Sequence, residues 1–84
     1  MDDMHAKIEI AGDVQGVGFR AGGHEQLRRL GLEGRIWNEP TGRVRGVFEG
    51  DAQAVEDMVA WCRQGPPAAT VRNVDVRKRP AGEA

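Results

Sequence analysis

The sequence predicts an α+β domain whose elements follow the order strand, helix, strand, strand, helix, strand. Four short segments alternate apolar with polar residues, two segments have helical spacing, and glycine and proline mark the boundaries between them. This order is the ferredoxin-like or split βαβ arrangement. It predicts an α/β sandwich (βαββαβ) in which right-handed crossovers place both helices on one face of a four-stranded antiparallel sheet.

The first half of the chain predicts a strand, a helix and a second strand. Residues 7–10 alternate apolar and charged side chains, and residues 34–38 also have strand character. Residues 21–30 predict the helix. Gly22 and Gly23 lie inside it, and each glycine destabilises a helix interior by about 1 kcal/mol relative to alanine. We therefore expect a weak first helix.

The second half predicts a hairpin, a helix and a final strand. Turn residues at 39–42 connect the second strand to a third at residues 43–50. Asp51 is placed to cap the second helix, and residues 65–67 (GPP) end it. Residues 70–76 predict the last strand. The apolar stripe of the second helix, at helical spacing, consists of Val55, Met58, Val59 and Cys62.

Length and composition limit the classes of function. A chain of 84 residues predicts one domain over 1–84, and residues 79–84 are expected to form a frayed tail. The net charge of -1 supplies no basic field for nucleic acid or for an anionic membrane. A single cysteine excludes an internal disulfide, and the acidic start of the chain has no long apolar run. We expect a cytoplasmic monomer.

The segment GDVQGVGFR, residues 12–20, is the strongest candidate for a site. Its glycines allow left-handed backbone, so that successive N–H groups can converge on an anion at the start of the helix. A cation at a helix N-terminus is unfavourable unless it binds an anion, and the guanidinium of Arg20 matches phosphate in two places. The segment is neither a Walker loop nor G-x-G-x-x-G. A plain tight turn beside a solvated arginine is the alternative.

The chain resembles the acylphosphatase family over residues 7–77. The resemblance rests on GDVQGVGFR, on LGLEG at 30–34, on Asn38 and on GPPAATV at 65–71. It implies the ferredoxin-like fold and hydrolysis of a carboxyl-phosphate to carboxylate and inorganic phosphate, without metal or other cofactor. The family's catalytic arginine and asparagine match Arg20 and Asn38. Its phosphate-binding residues match Gln15, Gly16, Val17, Gly18, Phe19 and Arg20.

The resemblance also implies a mechanism. Loose phosphoryl transfer needs fixed donors around the phosphoryl oxygens and a positioned water. The loop and Arg20 supply the donors, and the amide of Asn38 can hold the water in line. No general base is apparent, and the family is understood to use the substrate's own phosphate to accept the proton from water.

The sequence departs from the family pattern at three places. The family has tryptophan at the position of Arg35, and here Trp37 lies two residues along the same strand face. Bulky residues are usual at Gly22 and Gly23. The family also continues into a short final strand with a large apolar residue, which this sequence does not supply.

Several alternatives stay open. An acylphosphatase-like module can bind phosphorylated ligands without turnover, and an RNA-binding ferredoxin-like domain ranks a distant third because the aromatic and basic pattern is absent. Asn38 can simply start the hairpin turn. His5 and His24 are expected to be surface histidines rather than metal ligands, and Cys62 a buried, inert thiol.

Overall fold

The computed structural model describes residues 2–81 and confirms the predicted order of elements. The elements are β1 (Asp3–Asp13), α1 (Phe19–Arg29), β2 (Glu33–Asn38), β3 (Val44–Asp51), α2 (Ala52–Gln64) and β4 (Thr70–Pro80).

The four strands form one antiparallel sheet in the order β2-β3-β1-β4. Both β1 and β2 run antiparallel to β3, so they run parallel to each other although β3 lies between them. Ile10 of β1 pairs with Val44 of β3, and Val44 in turn pairs with Asn38 of β2. The segments that follow β1 and β2 therefore leave the sheet at the same edge.

The core lies between the two helices and one face of the sheet. The predicted stripe of α2 is confirmed, since Val55, Met58 and Cys62 are completely buried and Val59 nearly so. Val44, Gly46 and Phe48, which alternate along β3 and so share one face, are also buried, which places that face against the helices. Ile10 and Phe48 are among the largest side chains in this core.

The helix α1 begins two residues earlier than predicted, so Arg20 lies in its first turn rather than before it. Its glycines allow close packing. A Cβ at Gly23 would overlap Cδ1 of Ile36, and a Cβ at Gly22 would lie 3.1 Å from Cζ2 of Trp61. Side chains of β2 and α2 therefore occupy the space that bulky residues of α1 would need.

The ends of α2 follow the predicted rules. The Asp51 Oδ2 atom accepts hydrogen bonds from the backbone N–H groups of Gln53 at 3.1 Å and Ala54 at 3.3 Å. At the other end, Gly65 adopts a left-handed φ of 71° and donates its N–H to the carbonyl of Trp61. These two caps account for the sharp limits of the helix.

The prediction of a frayed tail from residue 79 was wrong for its first residues. Arg79 and Pro80 belong to β4, where they pair with His5 and Met4 of β1. The reason is that β1 begins at Asp3 and offers backbone partners along its whole length, independently of the charged side chains of β4. Residues 82–84 of the predicted tail lie outside the described residues.

Candidate active site

The loop between β1 and α1 has the backbone conformation that its glycines predicted. Gly16 has a φ of 75° and Gly18 a φ of 84°, both in the left-handed region. A Cβ on either residue would meet open space. Glycine is therefore favoured there by the positive φ and not by a steric clash with neighbouring atoms. Gly12 differs, because its Cβ would overlap the carbonyl of Thr70 at the bulge between β1 and β4.

The start of α1 leaves backbone donors available. Gly18 occupies the N-cap position without a side-chain cap, and the first turn contains no acidic residue. Within residues 2–81, no backbone N–H group of residues 15–21 donates to a protein acceptor. Unpaired N–H groups at a helix N-terminus favour an anion.

Arg20 adds a positive charge close to these donors. Arg20 is exposed, and no carboxylate oxygen of residues 2–81 lies within 4.0 Å of its guanidinium nitrogens. The basic side chains of Arg43, Arg45, Arg72 and Lys78 all have such partners. Arg20 is therefore free to bind an external anion.

Arg20 and Asn38 line the same cavity, which has a volume of about 370 Å³. Asn38 reaches it as the last residue of β2. Arg20 and Asn38 share this cavity because the loop after β1 and the end of β2 lie at the same edge of the sheet. The cavity is lined by Val14, Gly16, Gly18, Phe19, Arg20, Ala21, His24 and Asn38.

Five of the predicted site residues thus come together around one cavity: Gly16, Gly18, Phe19, Arg20 and Asn38. Gln15 and Val17 are not part of its lining. Phe19 is 1 % exposed as a whole residue, and its only polar groups are those of its backbone.

The structure adds two side-chain contacts that the sequence did not predict. Nε2 of Gln15 donates to the carbonyls of Glu39 at 2.7 Å and Arg43 at 2.9 Å. Nε2 of His24, a residue expected to be simply a surface histidine, accepts a hydrogen bond from the N–H of Ile36 at 3.3 Å. The Gln15 contact joins the loop before Arg20 to the hairpin that follows Asn38, and the His24 contact joins α1 to β2. Their backbone partners have no signature in the sequence.

A second concavity, of about 430 Å³, lies on the face of the sheet opposite the helices. Trp37 lines it, and Arg35 Cζ stands 5.1 Å from the centre of the Trp37 ring, as expected for two residues on one strand face. Glu9 lies in the same concavity beside Arg45. A hydrogen bond from Arg45, with the charges of Arg45 and Arg43, holds the pKa of Glu9 below its ordinary value of 4.5.

Among residues 2–81, no three His, Cys, Asp or Glu side chains are grouped so as to hold a metal ion. Neither of the two helices in this part of the chain is long and apolar enough to cross a membrane.

Known proteins resemble the chain in sequence and in structure. The acylphosphatase family profile matches residues 6–83. An acylphosphatase of Roseiflexus sp. (strain RS-1) is 48% identical over 84 residues, which cover 99% of this chain and 90% of that protein. An acylphosphatase of Pelotomaculum thermopropionicum is 50% identical over 76 residues, covering 90% of this chain and 83% of that protein. The crystal structure of acylphosphatase from Bacillus subtilis superimposes with a TM-score of 0.87 at 30% identity, covering 90% and 84% of the two chains.

The fold and the free donors around Arg20 define a ferredoxin-like protein whose first helix begins with unpaired N–H groups and a cation. The matches over nearly the whole chain then identify the family, and the chain belongs to the acylphosphatase family. It is an enzyme that hydrolyses acyl phosphates.

Proposed function

We propose that hydrolysis takes place in the cavity shared by Arg20 and Asn38. The observation that carries this proposal is that a free guanidinium, unpaired backbone N–H groups and a side-chain amide line one small cavity. In this proposal the phosphate-binding loop consists of residues 15–19, whose backbone N–H groups surround the phosphoryl oxygens. Arg20 completes the ring of donors.

Each group has a distinct role in the proposed reaction. The N–H groups and Arg20 donate hydrogen bonds to the phosphoryl oxygens. They thereby stabilise the negative charge that these oxygens carry in the loose transition state. Asn38 holds a water in line with the bond between phosphorus and the leaving carboxylate. The water oxygen bonds to phosphorus, the anhydride bond breaks, and the carboxylate leaves with the bonding pair. The proton of the water passes to a phosphoryl oxygen.

The proposal requires no metal or other cofactor. Arg20 and the helix N-terminus place positive charge where phosphoryl-transfer enzymes often use a divalent cation. A carboxylate is a good leaving group, so its departure needs no general acid. We propose small acyl phosphates as the substrates.

The remaining parts of the proposal concern the protein as a whole. We propose that residues 1–84 form one domain, that the chain acts as a monomer, and that it works in the cytoplasm. The single cysteine is compatible with a reducing compartment, and the net charge of -1 does not favour nucleic acid or an anionic membrane as a partner.

The test is hydrolysis of benzoyl phosphate, followed by ultraviolet absorbance in the presence of a chelator. Arg20→Gln and Asn38→Ala are expected to lower kcat/KM by about 100-fold or more, as losses of oriented transition-state contacts do. Arg63→Gln and Asn73→Ala are the matched controls, because both residues are exposed and neither lines the cavity. Loss of activity on addition of the chelator would contradict the metal-independent mechanism. A folded parent that binds phosphate without turnover would contradict the proposal and leave a binding module.

A further inference from the structure

The side chain of Gln15 connects the loop to the hairpin between β2 and β3. Its Nε2 atom donates one hydrogen bond to the carbonyl of Glu39 and another to that of Arg43, across 24 and 28 residues of sequence. The same two residues close the hairpin, because the N–H of Glu39 donates to the carbonyl of Arg43 at 2.8 Å. One amide group thus bridges both sides of the hairpin at its base.

The position of this bridge relates it to the two proposed catalytic side chains. Glu39 directly follows Asn38, and Gln15 lies in the loop that leads to Arg20. No backbone hydrogen bond of the sheet joins β1 to β2, because β3 lies between them. Gln15 therefore adds a side-chain connection from the loop to the hairpin, beside the pairing of Ile10 with Val44 and the ion pair of Arg43 with Glu9.

We infer that Gln15 is a positioning residue, which sets the place of Asn38 relative to the phosphate held by Arg20 and the loop. The inference rests on the proposed function of the cavity. The side chain of Gln15 does not line the cavity, so it acts through the hairpin and not on the substrate. Its backbone N–H remains available for the phosphate in every variant of the side chain.

The chemistry of the contact requires glutamine. Both partners are carbonyl oxygens, so the contact uses both hydrogens of one primary amide. A methionine has a similar length without a donor, and an ionised glutamate would present oxygen to oxygen. The hairpin retains its own hydrogen bonds, from Glu39 to Arg43 and from Gly42 to Glu39, so it stays closed without the bridge. Without the bridge, the pairing of β1 with β3 and the ion pair of Arg43 with Glu9 still hold the hairpin, so we expect a small shift. A small shift of a positioning group has a large effect on rate.

The first experiment separates kcat from binding. We expect Gln15→Met to lower kcat for benzoyl phosphate about 10-fold or more, whereas KM and the inhibition constant of inorganic phosphate change less than about 3-fold. Gln53→Met is the matched control, since Gln53 is exposed and its side chain bonds with Asp57 on the same helix, α2. It should behave as the parent does. A parental kcat in Gln15→Met, or an equal loss in phosphate binding, would overturn the inference.

A double variant tests whether the effect passes through Asn38. In an Asn38→Ala background, Gln15→Met should have no further effect on kcat, because there is no amide left to position. Full additivity would overturn the inference while leaving the proposed function intact. If Asn38→Ala alone left kcat unchanged, the proposed function would fail, and the inference would fail with it.

Gln15→Glu provides an independent readout through pH. Its protonated carboxyl has one O–H donor, so kcat relative to Gln15→Met should rise as pH falls below about 4.3, the usual pKa of glutamate. A ratio that does not change with pH would contradict the bridging role, and the parent supplies the reference rate if Gln15→Met is too unstable to assay.

Discussion

Phe19 and Trp61 meet edge to face, with ring centres 5.2 Å apart and ring planes inclined at 68°. Phe19 immediately precedes Arg20, and the Trp61 ring also packs beside Gly22 and Gly23 on the next turn of α1. The tryptophan of α2 therefore contacts the helix that contains Arg20 at several places. This contact compensates for the low helix propensity of α1.

Replacing Trp61 should destabilise the fold. We expect Trp61→Leu to lower the free energy of unfolding by about 2 kcal/mol, because the variant loses an aromatic pair and buried area against α1. Urea unfolding measures the change. Trp37→Leu is the control, since Trp37 lies on the opposite face of the sheet, and its effect should stay below about 1 kcal/mol. Equal losses in the two variants would argue against a special role for Trp61.

The two glycines of α1 should respond differently to alanine. Ile36 is buried against both Gly23 and Gly46, so a Cβ at Gly23 forces it to move. We expect Gly23→Ala to lower the free energy of unfolding by about 1–3 kcal/mol, which outweighs the gain in helix propensity. Gly22→Ala should change it by less than about 1 kcal/mol, because the Trp61 ring is only partly buried and can shift. Similar stabilisation of both variants in urea unfolding would contradict this packing role.

Cys62 should be unreactive until the protein unfolds. Burial raises the pKa of its thiol from an ordinary 9.0 to about 12, so little thiolate exists at pH 8. Because the folded pKa is raised, the buried neutral thiol contributes fully to the free energy of unfolding below pH 9.0. That contribution is lost as the pH rises from 9.0 to about 12. We expect labelling by a disulfide reagent to follow the unfolding transition in urea. A Cys62→Ala, Ala60→Cys double variant, with its thiol on the exposed side of α2, should react at once.

Rapid labelling of the parent in the absence of urea would contradict the buried environment of the thiol. The chain contains one cysteine, so the signal has a single source.

Glu9 should titrate at lower pH than an ordinary glutamate. The hydrogen bond from Arg45 is the main cause of the lowered pKa, so we expect Arg45→Met to return the pKa toward 4.5. Arg72→Met, which removes an exposed partner of Asp13, should leave it unchanged. Carbon-detected NMR titration measures each value. Since the folded pKa is lowered, the contribution of Glu9 to stability is present above pH 4.5 and is lost as pH falls through its folded pKa.

An unchanged Glu9 titration in Arg45→Met would show that the ion pair does not set this pKa. The pair is exposed to solvent, so added salt should also raise the pKa of Glu9 toward its ordinary value.

The fold was predictable because local patterns marked most elements. The apolar stripe of α2 and its Asp51 cap depend on residues within one helix, and both were predicted correctly. The limits of β4 depend on a partner strand instead, so the pairing of Arg79 with His5 could not be read from the charged segment itself. The packing role of Gly23 likewise depends on Ile36, in another element of the chain.

The site was predictable to the extent that its residues belong to a motif. Arg20 and Asn38 were predicted as catalytic residues from the family resemblance, and both line one cavity. Gln15 was also identified, but through its backbone, whereas its side chain bonds to the carbonyls of Glu39 and Arg43. A backbone carbonyl is common to every residue, so no sequence pattern marks such a partner.

The place of β4 at the edge of the sheet affects how the protein behaves at high concentration. Its outer side offers unpaired backbone groups, which can template aggregation. An antiparallel second copy centred on Asp75 would bring Arg72 opposite Lys78, two like charges, and Pro80 has no N–H to offer at the end of the strand. The charged residues of β4 thus disfavour pairing of this edge with a second copy in that register.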